Sequence, residues 1–240
     1  MIRLIYLLMV FLSLQAFKTD YNVAPDCFEY DYQRPIVVCI SSDNNKDHFK
    51  SCLDSIFSQD YDNYRVIYID DASTDKTYDL LIRYLDKNNL NEKMILLRND
   101  VKKGALSNHY LMGNLCEEDE IIFPLRAEGK LTTTNTLSRI NKAYMDEDVW
   151  VTYGNLIERE DRIKRQGLLK HKYHINLLKK IPFVFQQSKT YYGWLFRNIP
   201  KECFAIDNCF MEQAADVVIM TYLIELSRDH TYFISEERLD

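Results

Sequence analysis

Short apolar runs alternate along this chain with segments whose apolar residues recur every three or four positions. Residues 36–40, 65–69, 94–97, 120–125 and 149–154 are mostly apolar runs, that at 65–69 rich in β-branched and aromatic side chains. Runs of that length read as strands, those at 36–40 and 65–69 buried in the sheet. Between them, Phe49, Cys52, Leu53, Ile56 and Phe57 form one stripe of a helix over residues 47–57. Leu80, Leu81, Tyr84 and Leu85 form a second, and Ala105, Leu106, His109, Met112 and Leu115 a third. Leu137, Ile140 and Tyr144 mark a fourth helix over 134–145, and Val217, Met220 and Ile224 a fifth that opens at Gln213-Ala214-Ala215-Asp216. Strand and helix in alternation predict an α/β fold with a mostly parallel sheet and helices on both faces.

The strand over 65–69 stops abruptly at Asp70-Asp71-Ala72-Ser73-Thr74-Asp75. In an open α/β sheet ligands bind beyond the carboxyl ends of the strands, which would stand Asp70 and Asp71 on the rim of a site. The same residue types cap helices, so the two aspartates can equally serve the following helix, together with Thr74, Asp75 and Thr77.

With 240 residues, 47% of them hydrophobic, the chain can bury one substantial core. Lys and Arg number 30 against 36 Asp and Glu, a net charge of -6, which argues against nucleic acid as the main partner. Met1-Ile2-Arg3 carries one positive charge, and residues 4–14 are apolar except for Ser13. A membrane-spanning helix needs roughly 20 such residues, so a cleaved signal peptide ending near Ala16 is the favoured reading of 1–17. A short membrane anchor and a buried helix are the alternatives. Residues 18–34 read as a linker and 35–240 as a single domain. Export would place it in the secretory pathway or outside the cell, or hold it at a membrane facing a lumen.

None of the six cysteines falls in metal-ligand spacing, and Cys39 and Cys52 sit at core positions of a strand and a helix. The stretch 158–180 is basic, which reads as a solvated face or as a patch toward an acceptor or a membrane surface. Tyr192 and Trp194 lie in an aromatic cluster whose rings could pack a sugar or simply fill the core.

Ile67-Tyr68-Ile69-Asp70-Asp71-Ala72-Ser73-Thr74-Asp75 resembles the "VDDGSTD" signature of family 2 glycosyltransferases, with Ala72 in place of the usual glycine. Leu53-Asp54-Ser55-Ile56-Phe57-Ser58-Gln59-Asp60-Tyr61 resembles the family's first helix, and Arg98-Asn99 followed by Gly104-Ala105-Leu106-Ser107-Asn108 its third unit. The resemblance runs from about residue 36 to 234. It implies the GT-A fold, a Rossmann-like sheet, and transfer of a sugar from a nucleotide-sugar to an acceptor hydroxyl of a glycan or protein, by analogy with inversion. A UDP-sugar is the favoured donor.

On that likeness Ser41, Asp43, Asp70 and Asp71 would hold the nucleotide. Asp216, at the start of its helix, would take the proton from the acceptor, unless it is only an N-cap. Two words of the family are altered. Asp43 stands where an aromatic residue often stacks on the base. Arg126-Ala127-Glu128-Gly129 stands where an acidic "DGDD" set holds a divalent metal. Glu128 alone is a poor cage for Mn or Mg. Arg126 could supply the missing positive charge to the diphosphate, or could merely pair with Glu128 on the surface. Two functional readings stay open: an active transferase with weak or absent metal dependence, and a silent relative that binds a nucleotide-sugar or glycan. A nucleotidyltransferase is disfavoured, since no glycine-rich phosphate loop follows the first strand.

Overall fold

The structure, a computed structural model, describes residues 32–131, 133–154, 157–158, 188–206, 209–210 and 215–234. The apolar N-terminal run, the linker up to residue 31 and the basic stretch from residue 159 on lie outside them. Gln33–Asp240 is one unit of the chain and carries every element that follows. In chain order these are β1 (Ile36–Ser42), α1 (Phe49–Phe57), β2 (Tyr64–Asp70), α2 (Thr77–Asn88), β3 (Met94–Arg98), α3 (Ala105–Asn114) and β4 (Ile121–Arg126). Next come β5 (Lys130–Leu131), α4 (Thr136–Tyr144), β6 (Val151–Gly154), β7 (Ile157–Glu158), β8 (Ser188–Tyr192) and α5 (Gly193–Arg197). A single 3-10 turn then leads to β9 (Ala205–Ile206), β10 (Cys209–Phe210), α6 (Ala215–Ser227) and β11 (Thr231–Ile234).

Seven strands form the main sheet in the order β11-β6-β8-β4-β1-β2-β3. The pairs β1–β2, β2–β3, β1–β4 and β6–β11 are parallel, while β8 lies antiparallel between β4 and β6. Successive right-handed crossovers step outward from β1 to β3 with α1 and α2 on one face. The next crossover returns past β1 to β4, which puts α3 on the other. There α3, α5 and α6 pack against one another.

Burial follows the sequence pattern in β1, β2, α1 and α2, whereas β3 is an edge strand with Ile95 exposed, and the α3 stripe is buried at Leu106, His109 and Met112 but not at Ala105 or Leu115. Every apolar residue of β1 is buried, as are Val66, Ile67, Tyr68 and Ile69 in β2. The stripe of α1 is buried at Phe49, Cys52, Leu53 and Ile56. In α2 Leu81 and Leu85 are buried, and Leu80 and Tyr84 pack against the same core. Cys39, Cys52 and Cys116 are buried free thiols that act as small hydrophobes, and Cys203, half-buried, is free as well.

Two strands of the main sheet are not evident from periodicity. Ser188–Tyr192 forms β8, with Ser188, Lys189 and Thr190 all buried. Its polar groups are accommodated because Thr190 Oγ1 meets Thr152 Oγ1 at 2.6 Å and Tyr144 Oη at 3.0 Å. Thr231–Ile234 closes one edge of the sheet as β11. Among the described residues no helix is long and apolar enough to cross a membrane.

Gly154 allows the close seating of β11, since a Cβ built there would lie 2.1 Å from the Ile234 carbonyl oxygen. Gly154→Ala is therefore expected to destabilise the fold by roughly 1–3 kcal/mol, the usual cost of overpacking. Urea unfolding measures it, and an unchanged midpoint would mean that β11 is not held against β6 in this register.

Candidate active site

Four parallel strands, β1 to β4, end along one rim. The register sets Ser42 beside Asp70, Asp70 beside Arg98, and Ser41 beside Arg126. The loops that leave these ends are stitched together. The Asn44 side-chain oxygen accepts from the backbone N–H of Thr74 at 2.9 Å and of Asp75 at 3.2 Å, and Ser73 Oγ accepts from Asn44 N–H at 2.8 Å. Asp75 accepts from Lys46 N–H at 3.1 Å and from Thr77 N–H at 3.0 Å. The carboxylate of Asp75 thus serves the first turn of α2, although the N-cap position is Lys76, in a left-handed conformation. Asn45 donates to the Ala127 carbonyl at 2.9 Å and so ties in the end of β4.

The two adjacent aspartates face different surroundings. Asp70 is wholly buried; its Oδ2 accepts from Ser73 N–H at 3.2 Å and stands 3.6 Å from Arg98 Nε. Its Oδ1 has no hydrogen-bond partner among the described residues. Arg98 also donates to the Ser73 carbonyl and lies over the Tyr78 ring at 4.9 Å.

Asp71, only 3% exposed, reaches across to the β3–α3 loop. Its Oδ1 accepts from Asn99 Nδ2 at 2.6 Å and Lys103 N–H at 2.8 Å, and its Oδ2 from Gly104 N–H at 2.9 Å. Asn99 Nδ2 also donates to Asn108 Oδ1 at 2.8 Å, and Asn108 donates to Ser41 Oγ at 2.9 Å. Burial alone would push the Asp71 carboxyl up; the hydrogen bonds from Lys103, Asn99, Gly104 and Asn108 outweigh it and hold it below the ordinary range. The loop of residues 99–104 is therefore an arch with both feet on one carboxylate.

Of the residues singled out from sequence, Ser41, Asp43, Asp70, Asp71 and Arg126 come together on this rim. Asp43 pairs with Lys102 of the arch. Arg126 and Glu128 face each other, Nε to Oε2 at 3.6 Å, with side chains 74% and 55% exposed. Among the described residues no group of three or more His, Cys, Asp or Glu side chains could hold a metal ion. One carboxylate whose nearest charged neighbour is a guanidinium does not fit a hard divalent cation, which wants several oxygen ligands.

Asp216 is the second residue of α6, and its side chain lies outside the described atoms. The backbone still limits its place. After Ser227 a tight turn, closed by His230 N–H on the Ser227 carbonyl at 2.9 Å, enters β11 at the end opposite the rim. A helix that hands over to a strand in this way runs antiparallel to it, which directs the first turn of α6 toward the rim. Asn99 and Asn108, which join Asp71 to Ser41, were not given a role from sequence. Their one signal was their place in the Arg98-Asn99 and Gly104 to Asn108 words.

The helix-face residue His109 and the aromatic candidates Tyr192 and Trp194 lie elsewhere. His109 is buried, with Nε2 against Tyr191 Oη. Tyr192 pairs with Ile121 at the opposite end of β4 from the rim, and Trp194 sets its ring edge-on to Trp150 at 5.2 Å. An open hollow of about 340 Å³ flanks the rim, lined by Ala72, Ser73, Thr74, Arg98, Asn99 and Asp100.

Residues 37–123 match the model for "Glycosyl transferase family 2", and the seven-stranded, mostly parallel sheet with its flanking helices has a GT-A-like fold. Over 127 residues the chain is 28% identical to the Escherichia coli protein "UDP-Glc:alpha-D-GlcNAc-diphosphoundecaprenol beta-1,3-glucosyltransferase WfaP", covering 52% of this chain and 47% of that one. It thus spans about half the length of that curated relative. In fold it is similar to S. aureus TarS residues 1–349, solved in complex with UDP, at a TM-score of 0.67 and 16% identity over 85% of this chain and 58% of that one. The mannosyltransferase PcManGT of Pyrobaculum calidifontis, solved with GDP-Man and Mn2+, matches at a TM-score of 0.62 and 16% identity over 96% and 62%.

The position where the family signature usually has glycine is strained here: Ala72 has φ 58°. A left-handed backbone costs a non-glycine residue about 1–2 kcal/mol, of which glycine's greater freedom in the unfolded chain returns about 0.4–1 kcal/mol. Ala72→Gly should consequently raise the urea midpoint, by a net gain of up to about 1.6 kcal/mol. A lowered midpoint would contradict the strain.

Asp71→Asn sets an amide N–H against the backbone donors of the arch and should cost about 1–3 kcal/mol. Because the folded-state pKa of Asp71 is lowered, its contribution is fully present above about pH 4 and fades as pH falls through the folded value. Unfolding measured from pH 7 to pH 2 should show the gap between wild type and Asp71→Asn narrowing in acid; a gap independent of pH would contradict the assignment.

Proposed function

We propose that this chain transfers a sugar from a nucleotide-sugar, preferably a UDP-sugar, to an acceptor hydroxyl in a single inverting displacement with weak or no metal dependence. The observation that carries the reading is the convergence of Ser41, Asp70, Asp71 and Arg126 on the carboxyl-end rim of four parallel strands. Ser41, Asp70 and Asp71 fall within residues 37–123, which match the family 2 model. UDP is favoured over other nucleotides because the E. coli relative is named for UDP-Glc and TarS was solved with UDP.

In this reading Asp71, with Asp70 and Ser41, shapes the nucleotide seat. The acceptor oxygen attacks the anomeric carbon, the bond from that carbon to the diphosphate oxygen breaks, and the nucleoside diphosphate departs with the electron pair. A hydroxyl is a weak nucleophile at neutral pH, so the acceptor proton passes to a carboxylate, which we assign to Asp216. The direction of α6 supports that assignment. The leaving diphosphate needs positive charge beside it, which Arg126 would provide by exchanging Glu128 for phosphate oxygens. An exposed ion pair of that kind is worth little, so the exchange is cheap.

The second reading, a silent module that binds a nucleotide-sugar or glycan, is favoured by the same altered word, because Glu128 is the only carboxylate left in it. Donor turnover across a panel of nucleotide-sugars, with and without manganese or a chelator, separates the two. The transferase reading expects turnover that survives the chelator, and a fall in kcat of roughly 10²–10⁴ in Asp216→Asn with donor KM little changed. Calorimetric binding without turnover under every condition would establish the silent module instead.

A further inference from the structure

The arch on Asp71 is part of a closed circuit. From Ser41 Oγ the path runs through Asn108 and Asn99 to the Asp71 carboxylate, and on to the backbone N–H of Lys103. One residue back along the chain, the Lys102 ammonium pairs with Asp43 Oδ2, and two residues of backbone return from Asp43 to Ser41. The links of this ring differ in kind. Asp71 and Asn108 are buried at 3% and 1% exposure, and their hydrogen bonds are shielded from water. The Asp43–Lys102 link, a hydrogen-bonded ion pair, joins side chains that are 32% and 65% exposed. Exposed ion pairs are the weakest contacts of this sort and are screened by salt, whereas hydrogen bonds to a buried carboxylate are among the stronger ones. The ring therefore opens at Asp43–Lys102 first.

What would open it is a competing anion. Lys102 and Lys103 are consecutive exposed cations on an arch whose position is fixed by Asp71, so a polyphosphate that approaches the rim meets both. Asp43 sits opposite and repels the same ligand. We propose that the Asp43–Lys102 ion pair is a strap that closes the nucleotide seat in the free protein, and that a nucleoside diphosphate opens it by taking Lys102 from Asp43. The proposal rests on the seat assigned above and adds to it a gate whose two halves come from the β1–α1 and β3–α3 loops. Asp43 then selects against binding until Lys102 is satisfied by phosphate, and does not itself read the base.

The test is Asp43→Asn, which keeps the shape and removes the charge that pairs with Lys102. Calorimetric titration with UDP at low salt should give an affinity roughly two- to fivefold tighter than wild type, the range an exposed ion pair can withhold. The advantage should shrink in high salt, where wild type is itself unstrapped. Equal or weaker binding by Asp43→Asn would overturn the strap and make Asp43 a nucleotide contact or a bystander. A second readout needs no ligand: amide hydrogen exchange at Lys103 and Gly104 should be faster in Asp43→Asn than in wild type, and unchanged exchange would overturn the strap by itself. If neither protein binds UDP, the assigned seat falls, while the exchange comparison still decides whether the two loops are strapped together.

Discussion

A single carboxylate holds the functional end of this domain in shape. Asp71 spends both oxygens on the β3–α3 loop, accepting from Asn99, Lys103 and Gly104. Without those bonds two backbone N–H groups would be left to find other partners, and the arch would have no fixed position over the strand ends. The main-chain bond from Asp71 N–H to the Ser42 carbonyl at 2.7 Å anchors the same residue to β1. One residue thus joins the ends of β1, β2 and β3, and the charge that makes it look like a ligand-binding group is largely consumed inside the protein.

That economy changes how the acidic signature works. Asp70 is buried beside Arg98, Asp71 secures the arch, and Ser73, Thr74 and Asp75 lace the β2–α2 loop to Asn44 and Lys46. The word builds a rigid floor first, and any ligand meets the surfaces which that floor positions: Ser41, the lysines of the arch, and Arg126. Preorganisation of this kind lets a site stabilise developing charge without rearranging during the reaction. Ala72, at φ 58°, shows that the floor is held even against a local backbone cost.

Much of this is legible in the sequence, and the reasons are local. The strands β1, β2 and β4 are continuous apolar runs, and α1 buries the residues its stripe names, because a strand covered on both faces and a helix covered on one leave unmistakable periods. The junction at Asp70 and Asp71 could be placed on the rim for the same reason. What stayed hidden depends on partners distant in sequence. Ser188-Lys189-Thr190 carries no strand pattern, and it becomes β8 only because Thr152 and Tyr144 meet its polar groups in the core. Asn99 and Asn108 look like ordinary loop and helix residues until Asp71 and Ser41 lie on either side of them. The self-pairing of Arg126 with Glu128 likewise turns on side-chain direction, which composition does not encode.

The central claim is that the nucleotide seat is the rim assembled around Asp71. Amide chemical-shift mapping during a UDP titration of the whole chain tests it most directly. The account predicts that the largest changes fall on Ser41, Ser42, Asp43, Asn44, Lys103 and Gly104, with the far end of the sheet around Trp150 and Trp194 unmoved. Changes concentrated at Trp150, Trp194 and Tyr192, with the Asp71 arch silent, would contradict it.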